Sequence, residues 1–209
     1  MRVKTVAIAF GETVGVLFPI VDPIGNVPTF MALSAHLEVE QRRRLITRVV
    51  LFVVVGLSLF TLVGEPLLHF FGISLEALQI AGGIVVAFTG FRMITATEEL
   101  IQEWGKSDDV AFSPLAIPLL AGPGAMAALL ALDSRDENLA LALPGTIAGI
   151  VVIGACIFVA FRFGELISRR LGRGGLAALS IVMGLIVLAI GVEMIVHGIV
   201  EHGAVVDMD

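Results

Sequence analysis

The stretch Phe18-Pro19-Ile20-Val21-Asp22-Pro23-Ile24-Gly25-Asn26-Val27-Pro28 decides how this chain is read. It sits inside the first long apolar run and sets three prolines, a glycine, a carboxylate and an amide where a membrane span would otherwise be continuous. Proline lacks a backbone donor, and its ring clashes with the carbonyl one turn earlier, so a helix carrying this stretch must kink or open. In lipid, open backbone is tolerated only where it is buried in protein or lines a wet cavity. Residues 19–28 are therefore read as the lining of a site near mid-membrane, with a proline kink that binds nothing as the plainer alternative.

Outward from that stretch, the composition excludes a soluble domain. Of 209 residues, 57% are hydrophobic and 15% charged, with a mean hydropathy of +1.01, which marks a polytopic membrane protein. Cys156 is the single cysteine, so neither an intrachain disulfide nor a cysteine-cluster metal site can form. The basic Arg2 and Lys4 faintly resemble the start of a signal peptide, but the run continues through Glu12 into the proline stretch and is read as a retained span.

Runs long enough to cross about 30 Å of hydrocarbon fall at 6–34, 45–64, 74–95, 110–132, 140–163 and 176–199, giving an all-α fold of six spans. The first is long enough for two half-helices, and the fourth is interrupted by Pro114, Pro118 and Pro123. Short loops join the spans, so residues 1–209 form a single membrane domain. Alternating loops place Arg42, Arg43, Arg44, Arg48, Arg92, Lys106, Arg162, Arg169, Arg170 and Arg173 on one side, and Arg2, Lys4 and Arg135 on the other. The positive-inside bias puts the first group in the cytoplasm and both termini outside. Trp104 is expected to anchor the cytoplasmic loop at the interface, and the arginines at 42–44 and 48 also suit anionic lipids.

The chain resembles itself at an offset of about one hundred residues. Gly64-Glu65 recurs as Gly164-Glu165 and Gly72 as Gly172; one residue later in register, Ala77-Leu78, Ile80, Gly83, Gly90 and Met93-Ile94 recur as Ala178-Leu179, Ile181, Gly184, Gly191 and Met194-Ile195. Repeat one covers about 6–95 and repeat two about 110–199. Three spans per half make the second half enter the membrane inverted, and inverted repeats with interrupted helices at matching positions point to a transporter whose site lies at the repeat interface. The interruptions to be matched are Pro23-Ile24-Gly25-Asn26 and Ala121-Gly122-Pro123-Gly124-Ala125.

Asp22 is the one aspartate placed well inside a span. A carboxylate there is costly unless hydrated, paired or protonated, which makes it the candidate coupling-ion site. Its structural alternative is to cap a half-helix beginning near Pro23. Asn26 offers two donors and an acceptor, suited to a carboxylate or an ammonium, or to tying down open backbone. Gly25, Gly122 and Gly124 let backbone N–H groups approach a ligand, and a half-helix N-terminus beginning at Pro123 favours an anion. Thr29 joins them as a substrate-binding candidate, with Gln79 and Thr89 as secondary ones that more often serve helix–helix hydrogen bonds. Gly82-Gly83, Gly90, Gly184 and Gly191 are expected to let helices pack closely, Arg92 and Glu193 to snorkel, and Glu12 to be interfacial or to line an outer vestibule.

Glu193 and His197 do not complete a zinc-protease signature, and no nucleophile elbow or phosphate-cradling loop is present, so no enzyme activity, cofactor or metal is expected. Nucleic acid is not an expected partner.

With those residues in view, the sequence resembles the MarC family of bacterial and archaeal membrane proteins, also described as SnatA-type neutral amino acid transporters. The resemblance rests on Asp22-Pro23-Ile24-Gly25-Asn26-Val27-Pro28, on Phe71-Gly72-Ile73-Ser74 followed by Ile80-Ala81-Gly82-Gly83, and on Pro114-Leu115-Ala116-Ile117-Pro118 through Ala121-Gly122-Pro123-Gly124-Ala125. It implies a six-span inner-membrane protein, related to the lysine-exporter superfamily, that moves small neutral amino acids such as glycine and alanine with protons or sodium. Relatives often carry Asn where this chain has Asp22. Drug or metabolite efflux and a non-transporting scaffold are the alternatives, and glycine-lined surfaces suit a homo-oligomer as well as the bundle.

Overall fold

The computed structural model describes residues 6–95, 122–133 and 139–206, and within them every regular element is a helix. Trp104, Pro114, Pro118, Arg2, Lys4, Lys106 and Arg135, and the first half of the fourth expected span, lie outside the described residues.

The first run divides as its prolines require: α1 (Val6–Val21) stops at Asp22, and after the turn 23–26 a short α2 (Val27–Leu33) follows. α1 buries Ala9, Thr13, Leu17 and Val21, one stripe at four-residue spacing. α3 (Val39–Phe71) runs longer than the expected 45–64, because a capping box between Glu38 and Gln41 starts it in the polar segment before the apolar run. It ends at Gly72 in the left-handed region (φ 66°), where the Gly72 and Ile73 N–H groups donate to His69 O (3.1 Å) and Leu68 O (3.0 Å). α4 (Leu75–Thr95) begins at Ser74, whose Oγ accepts from the Ala77 N–H at 3.2 Å. Next come α5 (Pro123–Asp133), α6 (Leu139–Arg162) and α7 (Gly164–Val206), the last bent at Gly172 (φ 65°, ψ 175°).

Four stretches, Val39–Phe71, Leu75–Thr95, Leu141–Arg162 and Gly174–Glu201, are long and apolar enough to cross a membrane. These four are found among the described residues, which leave out residues 110–121 of the fourth expected span. At 16 residues α1 falls short of the roughly 20 a crossing helix needs, because the break at Asp22 ends it early. The spanning helices leave large apolar side chains such as Phe52, Leu59, Phe88, Phe91, Val182 and Leu185 exposed, the surface a lipid solvent requires.

Glycine sets how the helices meet. The most extensive packing joins α4 to α7, and it is reciprocal. A Cβ on Gly83 would lie 2.7 Å from Gly191 O, and one on Gly191 would lie 2.7 Å from Gly83 O. Gly90 and Gly184 behave alike, at 2.7 Å from Gly184 O and 2.9 Å from Gly90 O. The two helices therefore run antiparallel with backbones in contact. α5 is also antiparallel to α4, with Gly82 against Ala127 and Gly124 against Val86. α1 and α6 run parallel, with Gly145 against Val6 and Ala9, and Gly149 against Thr13. The short α2 is braced from the far side: Phe30 stacks on Phe161 (centroids 4.2 Å apart, planes at 8°), and Val27 and Met31 press on Gly164.

Candidate functional site

Opening the chain at residue 22 takes the last carbonyls of α1 away from their usual helical partners, and the turn that follows supplies one for Val21 O. Asp22 itself takes the left-handed conformation (φ 40°), which Asp tolerates better than most residues. Its N–H still closes the last turn of α1 on Phe18 O (3.0 Å). Pro23 has no N–H to offer, and the Gly25 N–H turns away from α1 and gives its hydrogen bond to Asp22 Oδ1 at 3.0 Å. Asn26 then supplies what α1 lost: its Nδ2 donates to Val21 O (2.9 Å) and Asp22 O (3.0 Å), and Asp22 O also receives the Asn26 N–H (3.1 Å).

This accounting sorts the alternatives left open by the sequence. Asp22 is buried and caps the turn, but α2 begins at Val27 rather than near Pro23. Only one of its carboxylate oxygens is used, and Oδ2 has no hydrogen bond among the described residues. Both donors of Asn26 are spent on α1, so a solute carboxylate would find no free amide hydrogen there. Asn26 Oδ1 makes no hydrogen bond among the described residues and is an acceptor suited to an ammonium. Gly25 is where close approach matters: a Cβ there would collide with the Asp22 carboxylate.

The second interruption lies at the start of α5, where Met126 N–H donates to Gly122 O (3.2 Å) in the first helical bond. The N–H groups of Gly124 and Ala125 in that first turn have no intrahelical acceptor, and they mark the positive end of the helix. Val21 and Val27, flanking the first break, pack in one apolar cluster with Ala125 and Leu129 of α5. The two interrupted segments thus share a core, although no hydrogen bond among the described residues joins Asp22 or Asn26 to residues 122–124. Gly124 also packs against Val86 of α4, with Cγ2 2.5 Å from a Cβ built on it.

Thr29 lies half-buried on α2, and its hydroxyl makes no hydrogen bond among the described residues. The helix–helix role expected of Gln79 and Thr89 is corrected: Thr89 Oγ1 donates to Val85 O of its own helix (2.8 Å), and Gln79, 1% exposed, has no partner for either amide atom among the described residues. Arg92 is exposed near the end of α4, as snorkelling requires, whereas Glu193, also exposed, lies more than three turns before the end of α7 at Val206.

One feature the sequence reading missed is a cavity of about 230 Å³ between α1, α5 and α7, lined by Val16, Ala128, Ala131, Leu132, Ile190, Glu193, Met194 and His197. At its edge His197 Nε2 lies 3.2 Å from Glu193 Oε1. The four-residue spacing of that pair was visible in the sequence, but the cavity depends on three helices distant in the chain. Among the described residues no group of His, Cys, Asp and Glu could hold a metal ion.

The model of a family described as MarC family integral membrane protein matches residues 8–202. A UPF0056 membrane protein of Pyrococcus abyssi is 36% identical over 186 residues, covering 88% of this chain and 90% of the relative. One from Methanocaldococcus jannaschii is 34% identical over 189 residues, 88% of this chain and 92% of its own. The UPF0056 inner membrane protein MarC of Citrobacter koseri is 32% identical over 216 residues, covering 92% of this chain and 95% of the relative. No solved structure matches the chain significantly.

Proposed function

Because the chain belongs to the MarC family of integral membrane proteins, we propose that it is a secondary transporter of small neutral amino acids, glycine and alanine, working by alternating access with an ion gradient. In this reading it lies in the cytoplasmic membrane with both termini outside and performs no covalent chemistry. Its six segments form two inverted halves, with α4 and the second part of α7 as equivalent helices. The swapped contacts of Gly83 with Gly191 and Gly90 with Gly184 support that symmetry, since a two-fold axis brings each residue against the equivalent of the other. Gly72 and Gly172, the two glycines of positive φ among the described residues, stand at matching places in the two halves, although their ψ angles differ (26° and 175°).

The observation that carries the transport reading is the break at 22–26. There the polar groups of Asn26 and Asp22 hold the backbone open while Asn26 Oδ1 and Asp22 Oδ2 take no hydrogen bond among the described residues. Those two acceptors suit the ammonium of an amino acid, and Asp22 Oδ2 alternatively takes the coupling proton. The N-terminal turn of α5 at Gly122-Pro123-Gly124 suits its carboxylate. Gly25 and Thr29 border the same turn, and the small side chains there favour a short solute.

The test is uptake of labelled glycine and alanine into vesicles holding the purified protein, with and without an imposed proton or sodium gradient. Gradient-driven uptake is expected in the wild type, and its loss in Asp22→Asn would assign proton coupling to that carboxylate. Uptake equal in the two proteins moves coupling to sodium or to another group. Uptake no greater than in empty vesicles under either gradient overturns the substrate assignment and brings efflux or a scaffold role forward.

A further inference from the structure

Gln79 presents an almost fully buried amide whose Nε2 and Oε1 both lack hydrogen-bond partners among the described residues. Burying an amide without hydrogen bonds is unfavourable, so such a group calls for a ligand or water that satisfies it. Its position suggests which. Gly82, three residues on, faces Ala127 of α5 and the terminal methyl of Met194 of α7. The antiparallel register of Gly82 with Ala127 and Val86 with Gly124, carried back one turn, sets Gln79 level with Ala131. Ala131 and Met194 both line the cavity between α1, α5 and α7, so the amide and the cavity share a wall, and part of that wall is a flexible thioether.

We propose that this cavity, with Gln79 behind it and Glu193 at its edge, is a second station for the transported amino acid, on the side of the bundle where α1 begins and α7 ends. The inference rests on the transporter reading above and adds a site to it. The volume, about 230 Å³, is below the roughly 300–1,000 Å³ of pockets for drug-sized ligands and suits a solute of few heavy atoms. Its walls of Val16, Ala128, Leu132 and Ile190 accept a small apolar side chain. His197 donates from Nε2 to Glu193 Oε1 and leaves Glu193 Oε2 for an ammonium. A rotamer change of Met194 opens the amide of Gln79 to the cavity, where its N–H groups take the carboxylate. The solute then reaches the break at Asp22 along α1, past Val16 and Ile20.

Equilibrium binding of labelled alanine to the purified full chain, paired with its thermal unfolding, tests this. Gln79→Leu is expected to bind about tenfold more weakly, the effect of losing one hydrogen bond to a charged group. The same variant should melt at a higher temperature than wild type without ligand, since it removes an unpartnered buried amide. In a Cys156→Ser background, Ala131→Cys should react with a water-soluble maleimide, and saturating alanine should slow that reaction. Binding unchanged in Gln79→Leu, or labelling of Ala131→Cys that saturating alanine does not slow, overturns the second station while leaving the transporter intact. A wild type that binds no alanine removes both, and the labelling assay decides the matter should Gln79→Leu fail to fold.

Discussion

The carboxylate of Asp22 folds back onto Gly25, accepting its N–H at Oδ1 (3.0 Å) and filling with Oδ2 the space a side chain on Gly25 would need. One residue is thus the cap and the other the vacancy that admits it. Asp22→Asn retains an acceptor oxygen and a residue type that tolerates positive φ, so its melting temperature should stay near wild type. Asp22→Ala should cost about 1–2 kcal/mol from the lost cap, and Gly25→Ala should destabilise too because the carboxylate must move. Thermal unfolding in detergent of the three variants checks the order.

The glycine contacts between α4 and α7 predict a paired result. Gly83→Ala and Gly191→Ala each push a methyl against the partner's carbonyl and should cost similar amounts, on the order of 1–3 kcal/mol as overpacking does. Gly56→Ala in α3, where nothing lies within 4 Å of the new methyl, should be neutral or gain up to about 1 kcal/mol from helix propensity. Unequal losses for Gly83 and Gly191 would count against a reciprocal interface.

Arg42 reaches from the first turns of α3 to Ser34 O at the end of α2, with Nη2 at 3.1 Å. Arg42→Gln should therefore loosen the 34–38 connection, by about 1 kcal/mol for a single hydrogen bond. Proteolysis of the solubilised protein, with Arg43→Gln as the exposed control, reads this as faster cleavage near residues 34–38 in the first variant alone.

At Gly72 a new side chain would meet nothing within 4 Å, so the cost of Gly72→Ala is conformational only and should be about 1–2 kcal/mol, the penalty of a left-handed L-residue. Gly72→Asn should cost less. Gly172 shares the φ and the open surroundings but has ψ 175°, a region nearly closed to other residues, so both substitutions should cost more there and Asn should lose its advantage over Ala. Melting temperatures of the four variants provide the comparison.

Much of this was legible in the residues. Proline cannot hide in a helix, so the break between Val21 and Val27 announced itself, and glycines at a fixed offset announced the likeness of α4 to α7. Tying down open backbone was one of the two roles the sequence offered Asn26, but which carbonyls it takes was not legible, because its partners are set by the path the chain takes after Pro23. The start of α3 was missed for a different reason: Glu38 to Arg44 is polar, and a hydropathy reading sees such a turn as loop although its caps make it helix. Gln79 was seen as a candidate, but only packing on both sides reveals an amide with nothing to bind.

Gly83 touching Gly191, and Gly90 touching Gly184, is the pattern of a surface that is complementary to itself. Such a surface needs no second sequence: two copies of a 6–95 half, meeting in opposite orientations, would make the same contacts. In the inverted-repeat reading the chain is a tethered homodimer, and tethering frees the halves to specialise. One keeps Asp22 and Asn26 at its break and the other keeps Gly122-Pro123-Gly124, so a single solute can meet acceptors on one side and donors on the other. A strictly symmetric pair of identical chains has no means of offering a zwitterion two different ends.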